Sequence, residues 1–275
     1  MGRGMAGPDK KAGLMGAASV VLAAAVALGA MASLALAQGA PSLAPLPKEC
    51  EAPGDTGIAS SPLPNVALAL KDRRMIRILA IGGTSNSLRG PVSGGHFAVV
   101  EQFLESTFKG LDVEVVHRGV SGELASDAAE RIKNEVALND PDLVLWQLGT
   151  SDALARVQID DFRSSVSSAV AWLKDHKVDV ILVGLRYARS MAQDSHYQMM
   201  RSAVRSVSKE QNVLRISRYE AEETLEKVRK SRGATMGDAQ LTESGYVCMA
   251  EYMARAIAAG LFVKEPRPAI AVPPK

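Results

Sequence analysis

The sequence contains few of the residues that metal clusters and redox centres need. Two cysteines and four histidines among 275 residues exclude a cysteine-rich zinc module and an iron–sulfur protein. The sequence also lacks an excess of basic or acidic residues. The net charge is +2, and because residues 1–37 hold three basic and one acidic side chain, the remaining 238 carry 29 of each sign. A neutral body without a long basic run argues against nucleic acid as a partner.

Apolar residues are abundant enough for a full hydrophobic core. They make up 47% of the chain, whose mass is 29.1 kDa, and charged residues make up 23%. This composition excludes a disordered or polyionic protein. The length suits one domain or two small ones.

The N-terminal segment has the pattern of a secretory signal peptide. Lys10 and Lys11 precede a long Ala-, Val- and Leu-rich run that ends in the small-x-small sequence 35–37. We expect a signal peptide over 1–37 and an exported protein, periplasmic or extracellular; an uncleaved membrane anchor is the alternative. Either way, this segment is the only expected membrane contact. An oxidising compartment would allow one intramolecular disulfide, between Cys50 and Cys248.

Between two Pro-rich ends, short apolar runs alternate with amphipathic stretches. Residues 38–68 predict a lead-in with little regular structure, 69–262 one domain, and 263–275 a Pro-rich tail. Strands are predicted over 75–83, 111–119, 141–149, 178–185 and 212–217, with helices between them and a last helix over about 243–261. The charged stretch 220–232 predicts a solvated helix, with a lid as the alternative. Strict alternation indicates a single three-layer α/β domain with a five-stranded parallel, flavodoxin-like sheet.

Ligands of such a sheet bind beyond the carboxyl ends of the strands. The segments that follow the strands are GGTSNSLRG (82–90), HRGVSGE (117–123), QLGTSDAL (147–154) and LRYARS (185–190). None has the glycine spacing of a dinucleotide or P-loop site. Hydroxyls after the first strand can act at a helix N-terminus or simply cap it. The glycines can serve an oxyanion hole or ordinary turns, and spacing leaves both interpretations open.

The order of these segments resembles the SGNH (GDSL) hydrolase family over residues 75–260. Strand-GGTS matches the block with the nucleophilic serine, and RGVSGE matches the block whose oxyanion-hole glycine falls on Gly122. DLVLWQLGTSD matches the third block, and GDAQLTESGY (237–246) matches the last block, D-x-x-H followed by a helix. The sequence also resembles an exported subgroup of this family, which has an early cysteine, a PLP segment and a cysteine in the last helix. Cys50, the segment 62–64 and Cys248 match these three features.

The resemblance also shows substitutions at the catalytic positions. The nucleophile position falls on Thr84, with Ser85 next to it, and the second oxyanion donor, usually asparagine, falls on Ser151. The histidine position falls on Gln240. The aspartate position three residues earlier falls on Gly237, with Asp238 shifted by one. Glutamine cannot relay a proton as histidine does, so we expect ester hydrolysis to be weak or absent.

Three hypotheses follow. The first is a degenerate member, a possible pseudoenzyme, that binds an acyl or acetyl ester of a glycan or lipid in the cell envelope. The second is an active esterase or carbohydrate deacetylase in which Thr84 or Ser85 works with a non-standard base, His117 or His196. The third is an unrelated small-molecule or protein-interaction domain on a flavodoxin-like sheet. No cofactor or metal is expected, although a metal site from His117, His196 and Asp152 is conceivable.

Overall fold

The computed structural model describes residues 61–83, 95–231 and 243–262, which all belong to one compact unit, Leu43–Lys275. These ranges contain five strands and eight α-helices. In chain order the elements are α1 (Pro64–Asp72), β1 (Met75–Gly82), α2 (Gly95–Thr107), β2 (Asp112–Gly119), α3 (Ala125–Asn139), β3 (Leu143–Gln147), α4 (Thr150–Leu154), α5 (Ile159–Asp175), β4 (Asp179–Val183), α6 (Ser195–Glu210), β5 (Leu214–Ile216), α7 (Arg218–Ser231) and α8 (Glu243–Phe262).

The strands form one parallel sheet in the order β2-β1-β3-β4-β5. β1 pairs with β2 on one side and with β3 on the other. The chain reverses its winding direction at β1, so the crevice beyond the ends of β1 and β3 is the topological switch point. The predicted single α/β domain with a five-stranded parallel sheet is confirmed.

Apolar residues on both faces of the sheet explain why these strands are buried. Ile76, Ile78 and Ala80 pack with α1, α2 and α8 in one core, whereas Leu79 and Ile81 pack with α3, α5 and α6 in the other. A continuous apolar run is typical of a strand covered by helices on both sides. The result is the predicted three-layer arrangement, with two cores separated by the sheet.

Several element boundaries differ from the sequence predictions. Helix α1 begins at Pro64, inside the segment expected to lack regular structure. Its first turn is held by the buried Asp179, whose carboxylate accepts hydrogen bonds from the backbone N–H groups of Asn65 and Val66 at 2.9 and 3.0 Å. Sequence periodicity could not reveal this contact, because the two segments are 114 residues apart. The short helix α4 was not predicted either.

The charged helix α7 is not solvated all round, so that prediction was wrong. Tyr219, Ala221 and Leu225 are buried in the two cores, and Arg218 and Glu222 are buried as well. None of the helices in the described ranges combines the length and the apolar character that crossing a membrane requires. The predictions for 1–60 and 263–275 lie outside the described residues.

Candidate active site

A cavity lies at the predicted place, beyond the carboxyl ends of β1 and β3. We call it the ester cavity, after the ligand that the resemblance to SGNH hydrolases predicts, and its volume is about 250 Å³. Four chain segments form its wall: the end of β1, the turn after β2, the end of β3 with the start of α4, and the loop after β4. Its lining residues are Gly82, Gly83, Ser121, Gly122, Glu123, Leu124, Ala125, Ala128, Trp146, Gln147, Leu148, Gly149, Thr150, Ser151, Asp152 and Arg186.

Gly122 and Ser151, the two predicted oxyanion positions, both line this cavity. Gly122 has φ +76°, a left-handed conformation that glycine adopts without strain, and a Cβ there would meet nothing within 4 Å. The backbone therefore borders open space at the point where a ligand would approach. Ser151 lies in the first turn of α4, on the facing segment. Their role as hydrogen-bond donors to an oxyanion stays a prediction.

Asp152 holds two of the cavity segments together. The residue is 2% exposed, and its carboxylate accepts hydrogen bonds from the backbone N–H of Ala125 at 2.8 Å and of Gly149 at 3.2 Å. Burial raises the pKa of Asp152, and these N–H donors offset part of that rise. The carboxylate thus joins the start of α3 to the turn before α4. These contacts make it a structural residue.

The loop after β4 is fixed at three points. The N–H of Arg186 donates to Thr150 Oγ1 at 3.1 Å, and the Tyr197 hydroxyl donates to the Arg186 carbonyl at 2.6 Å. The N–H of Tyr187 donates to Glu222 Oε2 at 2.7 Å. These bonds hold Arg186 where its side chain lines the ester cavity. Glu123 also lines the cavity, and its bidentate pair with Arg131, at 2.7 and 2.6 Å, fixes its carboxylate and raises the pKa of Arg131.

A second, smaller cavity of about 20 Å³ adjoins the first. We call it the arginine cavity, because the buried Arg218 lines it. It shares Gly82, Gly83 and Gln147 with the ester cavity, and its other lining residues are Ile81, Phe97, His117, Leu145, Val183, Arg218, Met249 and Met253. The two cavities therefore share lining residues at the ends of β1 and β3.

The histidines are separated by the fold. The His117 ring is half-buried, lies against Phe97 at a centroid distance of 5.2 Å and lines the arginine cavity. Burial, together with the charges of Arg118 and Arg131, lowers its pKa, so the imidazole is neutral at pH 7. His196 lies at the start of α6 and lines neither cavity, and its buried Nε2 has no hydrogen-bond partner. His176 is exposed and stacks on Trp172 at the opposite end of the sheet.

The metal site considered from His117, His196 and Asp152 is not assembled. Asp152 is engaged with backbone N–H groups, and His196 lines neither cavity that Asp152 or His117 borders. Within 61–83, 95–231 and 243–262, no cluster of three or more His, Cys, Asp or Glu side chains could hold a metal ion. The remaining predicted residues lie outside the described ranges: Cys50, Thr84, Ser85, Gly237, Asp238 and Gln240.

Sequence reasoning missed three residues at these cavities: Gln147, Arg186 and Arg218. Arg186 and Arg218 directly follow predicted strands, so their position was a usable signal, whereas Gln147 lies within the predicted strand 141–149 and ends the observed β3. Gln147 and Arg186 occur in the segments expected to face a ligand, but neither was chosen. Arg218 was overlooked because it follows the short strand β5, outside any block of the family resemblance.

A family model, the Non-GDSL lipase-like family, matches residues 49–262. The chain belongs to the Non-GDSL lipase-like family. This match, which spans more than three quarters of the sequence, confirms the resemblance to SGNH hydrolases. A curated arylesterase from Vibrio mimicus is 29% identical over 77 residues, which cover 28% of this chain. That alignment spans only 38% of the arylesterase.

Solved structures share the fold of this member of the Non-GDSL lipase-like family. An acetylxylan esterase from Geobacillus stearothermophilus has 21% identity and a TM-score of 0.55, covering 66% of this chain and 94% of its own. Its catalytic mutants, with an aspartate, a serine or a histidine replaced by alanine, are similar to the same extent. A protein assigned to the G-D-S-L lipolytic family from Desulfitobacterium hafniense has 19% identity and a TM-score of 0.50, covering 66% and 99%.

Proposed function

We propose that this protein binds a small acyl ester, such as the acetyl ester of a glycan or lipid, in the cell envelope, and hydrolyses it weakly or not at all. The observation that carries the proposal is the ester cavity, which brings Gly122 and Ser151 to the end of β1. Its volume of about 250 Å³ is below the range of about 300–1,000 Å³ usual for drug-sized ligands, and it suits a short acyl group. The acetylxylan esterase and arylesterase named above support an ester as ligand.

The weak hydrolysis that we propose follows from the residues at the catalytic positions. The family histidine falls on Gln240, whose amide cannot take a proton from a hydroxyl near neutral pH. Ser151 replaces an asparagine and has a shorter donor arm. Loss of one triad member leaves about 10³–10⁴-fold acceleration over water, from the oxyanion hole and substrate binding. Binding without efficient turnover is the consequence.

Ligand binding is tested with the full chain and a methyl xyloside that carries one acetyl ester. Saturation-transfer NMR should show contact of the acetyl methyl group with the protein, and the deacetylated sugar should give a much weaker signal. Ser151→Ala removes a hydroxyl from the cavity wall and should weaken binding. Ser202→Ala, on an exposed face of α6, is the matched control and should not. Equal binding by the acetylated and deacetylated sugars would contradict the proposal.

One observation favours an active esterase as the second candidate. His117 has a lowered pKa and lines the arginine cavity together with Gly82 and Gly83, the two residues that precede Thr84 and Ser85 in the sequence. In that mechanism His117 takes the hydroxyl proton as the oxygen attacks the acyl carbon, and returns it to the alkoxide as the bond between the acyl carbon and the alkoxide breaks. Water then hydrolyses the acyl-enzyme, which releases the acid and restores the hydroxyl.

Turnover of p-nitrophenyl acetate separates the two candidates. A binding protein should show the same low rate as the Thr84→Ala, Ser85→Ala and His117→Gln variants. An active esterase should show clear turnover that Thr84→Ala or Ser85→Ala abolishes. His117→Gln should lower this rate and remove its dependence on pH, and these results together would establish the esterase.

Export and the disulfide are further parts of the proposal. Intact-mass analysis of the protein from the cell envelope should give a mature chain that begins at residue 38. Peptide mapping without reduction should join Cys50 to Cys248, which lies fully buried in α8. A bridge closing about 200 residues would stabilise the fold by about 5 kcal/mol in the chain-entropy model. Free thiols on both cysteines would contradict the disulfide. A chain that keeps residues 1–37 would contradict cleavage of the signal peptide.

A further inference from the structure

Arg186 is the only positively charged residue among the described residues that line the ester cavity. It belongs to the loop after β4, and its backbone is fixed on both sides. Its N–H donates to Thr150 Oγ1 at 3.1 Å, and its carbonyl accepts from the Tyr197 hydroxyl at 2.6 Å. The residue is half-buried, so its charge is partly removed from water. Such a charge attracts an opposite charge more strongly than one on an open surface does.

The two carboxylates of the cavity wall are committed to other partners. Glu123 forms a bidentate pair with Arg131, at 2.7 and 2.6 Å, and its side chain is 8% exposed. Asp152 accepts hydrogen bonds from two backbone N–H groups and joins the two segments to which they belong. Both carboxylates therefore support the wall. Arg186 adds a positive charge at the β4 end of the cavity.

The order of the strands places Arg186 at one end of the ester cavity and Gly122 at the other. Gly122 follows β2, Ser151 follows β3 and Arg186 follows β4, in the sheet order β2-β1-β3-β4. An ester carbonyl that faces both Gly122 and Ser151 therefore lies across the end of β1. Neighbouring strands are about 4.8 Å apart, so β4 lies about 10 Å from β1. An acetyl group does not span that distance, so the alcohol part of the ester is the part that reaches Arg186.

We propose that the ester cavity selects esters whose alcohol part carries an anionic group, a carboxylate or a phosphate, and that Arg186 binds this group. A planar guanidinium matches either group, because it directs two parallel N–H donors at two oxygens. It has five N–H donors, so it can serve the fold and a ligand at the same time. This inference rests on the proposed function, since it names the class of ester that the same cavity takes.

The test compares three sugars that carry one acetyl ester at the same position and differ in one other group. They are methyl glucuronoside, its uncharged amide and methyl glucoside 6-phosphate. NMR titration of the full chain at pH 7 and low ionic strength gives their dissociation constants. At least one anionic ester should bind at least about tenfold tighter than the amide, which is the factor expected for a hydrogen bond to a charged group. The tighter of the two anionic esters identifies carboxylate or phosphate as the group recognised.

Variants separate Arg186 from the general charge of the protein. Arg186→Gln should reduce the ratio of the affinities for the anionic ester and the amide to about one. Arg189→Gln is the matched control, because Arg189 lies in the same loop, pairs with Glu226 and does not line the cavity; this variant should keep the ratio. Arg186→Lys keeps the charge without the fork of donors and should lower the ratio without abolishing it. If Arg186→Gln does not fold, the wild-type ratio and its decrease in Arg186→Lys decide the question.

Three results would overturn the inference: equal binding of the anionic esters and the amide, an unchanged ratio in the Arg186 variants, or an equal loss of the ratio in Arg189→Gln. Failure here is distinguishable from failure of the proposed function. If the proposed function fails, acetylated and deacetylated sugars bind equally. If only this inference fails, binding still depends on the acetyl group and no longer on the charge of the sugar.

Discussion

Replacing Asp152 tests whether one buried carboxylate holds the two turns that border the ester cavity. Asp152→Ala removes the acceptor of the Ala125 N–H and of the Gly149 N–H, whose bonds are 2.8 and 3.2 Å long. Both amide groups belong to segments that line the cavity, and the carboxylate is the side chain that joins these segments. The variant should therefore lower the free energy of unfolding and allow the two turns to move apart.

The magnitude follows from the two orphaned donors. A buried N–H without an acceptor costs about 1–3 kcal/mol, so two cost about 2–6 kcal/mol. Removing the carboxylate also recovers its desolvation, the same burial that raises its pKa, and this places the expected loss at about 2–4 kcal/mol. Asp152→Asn keeps one acceptor oxygen and should lose about half as much. A total stability of about 5–15 kcal/mol makes either change measurable.

Urea denaturation, with the slope held equal between variants, measures the loss directly. Asp161→Ala, in the exposed first turn of α5, is the matched control and should stay within about 0.5 kcal/mol of the parent. Binding of the acetylated xyloside should weaken in Asp152→Ala and remain in the control. An Asp152→Ala protein as stable as the control would refute the reasoning, since the two hydrogen bonds would then contribute nothing.

Three further predictions concern residues that position the fold around the site. Burial raises the pKa of Asp179 to about 6 from 3.8, so the folded protein holds a proton that the unfolded chain has released; stability is fully present below about pH 3.8 and should fall by about 3 kcal/mol as the pH rises to about 6. Asp179→Asn should unfold without that slope; a slope that survives would contradict the assignment. Gly149→Ala should cost about 2–4 kcal/mol in urea, because φ is +90° and the new Cβ would lie 2.5 Å from Leu185 Cδ1. Gly83→Ala, with nothing within 4 Å, is its control, and equal losses would refute the steric argument. Tyr197→Phe removes the hydrogen bond to the Arg186 carbonyl and should lower the free energy of unfolding by about 0.5–1.5 kcal/mol, measured by thermal or urea unfolding. An unchanged free energy of unfolding would show that this bond does not stabilise the loop.

The strands and most helices could be predicted because local patterns specify them. A continuous apolar run ending in glycines specifies β1, and apolar spacing along α5 and α6 specifies their buried faces. Helix α1 was missed because its first turn depends on Asp179, far away in the sequence. The buried face of α7 was missed because its charged residues outnumber its apolar ones, and only packing shows that Arg218 and Glu222 are removed from water.

The same distinction holds at the site. Segment order placed Gly122 and Ser151 at one edge of the sheet, and the resemblance assigned them a role. The separation of His117 from His196, by contrast, follows from where β2 and α6 end in space, and no spacing along the chain encodes that distance. Arg186 and Arg218 became candidates only when their side chains were seen to line cavities.

By itself, the sequence determined the class of fold, the edge of the sheet where the ester cavity lies and the family, because alternating apolar runs and turn residues act locally and in chain order. The tertiary structure alone decided which polar groups lose their water and which find partners. Asp152 is satisfied by backbone N–H groups, and the buried carboxylate of Glu222 accepts from Arg218 Nε and from the N–H of Tyr187. That outcome depends on contacts between residues remote in the chain, such as Glu222 with Tyr187, and it decides which charged side chains leave water and support the fold.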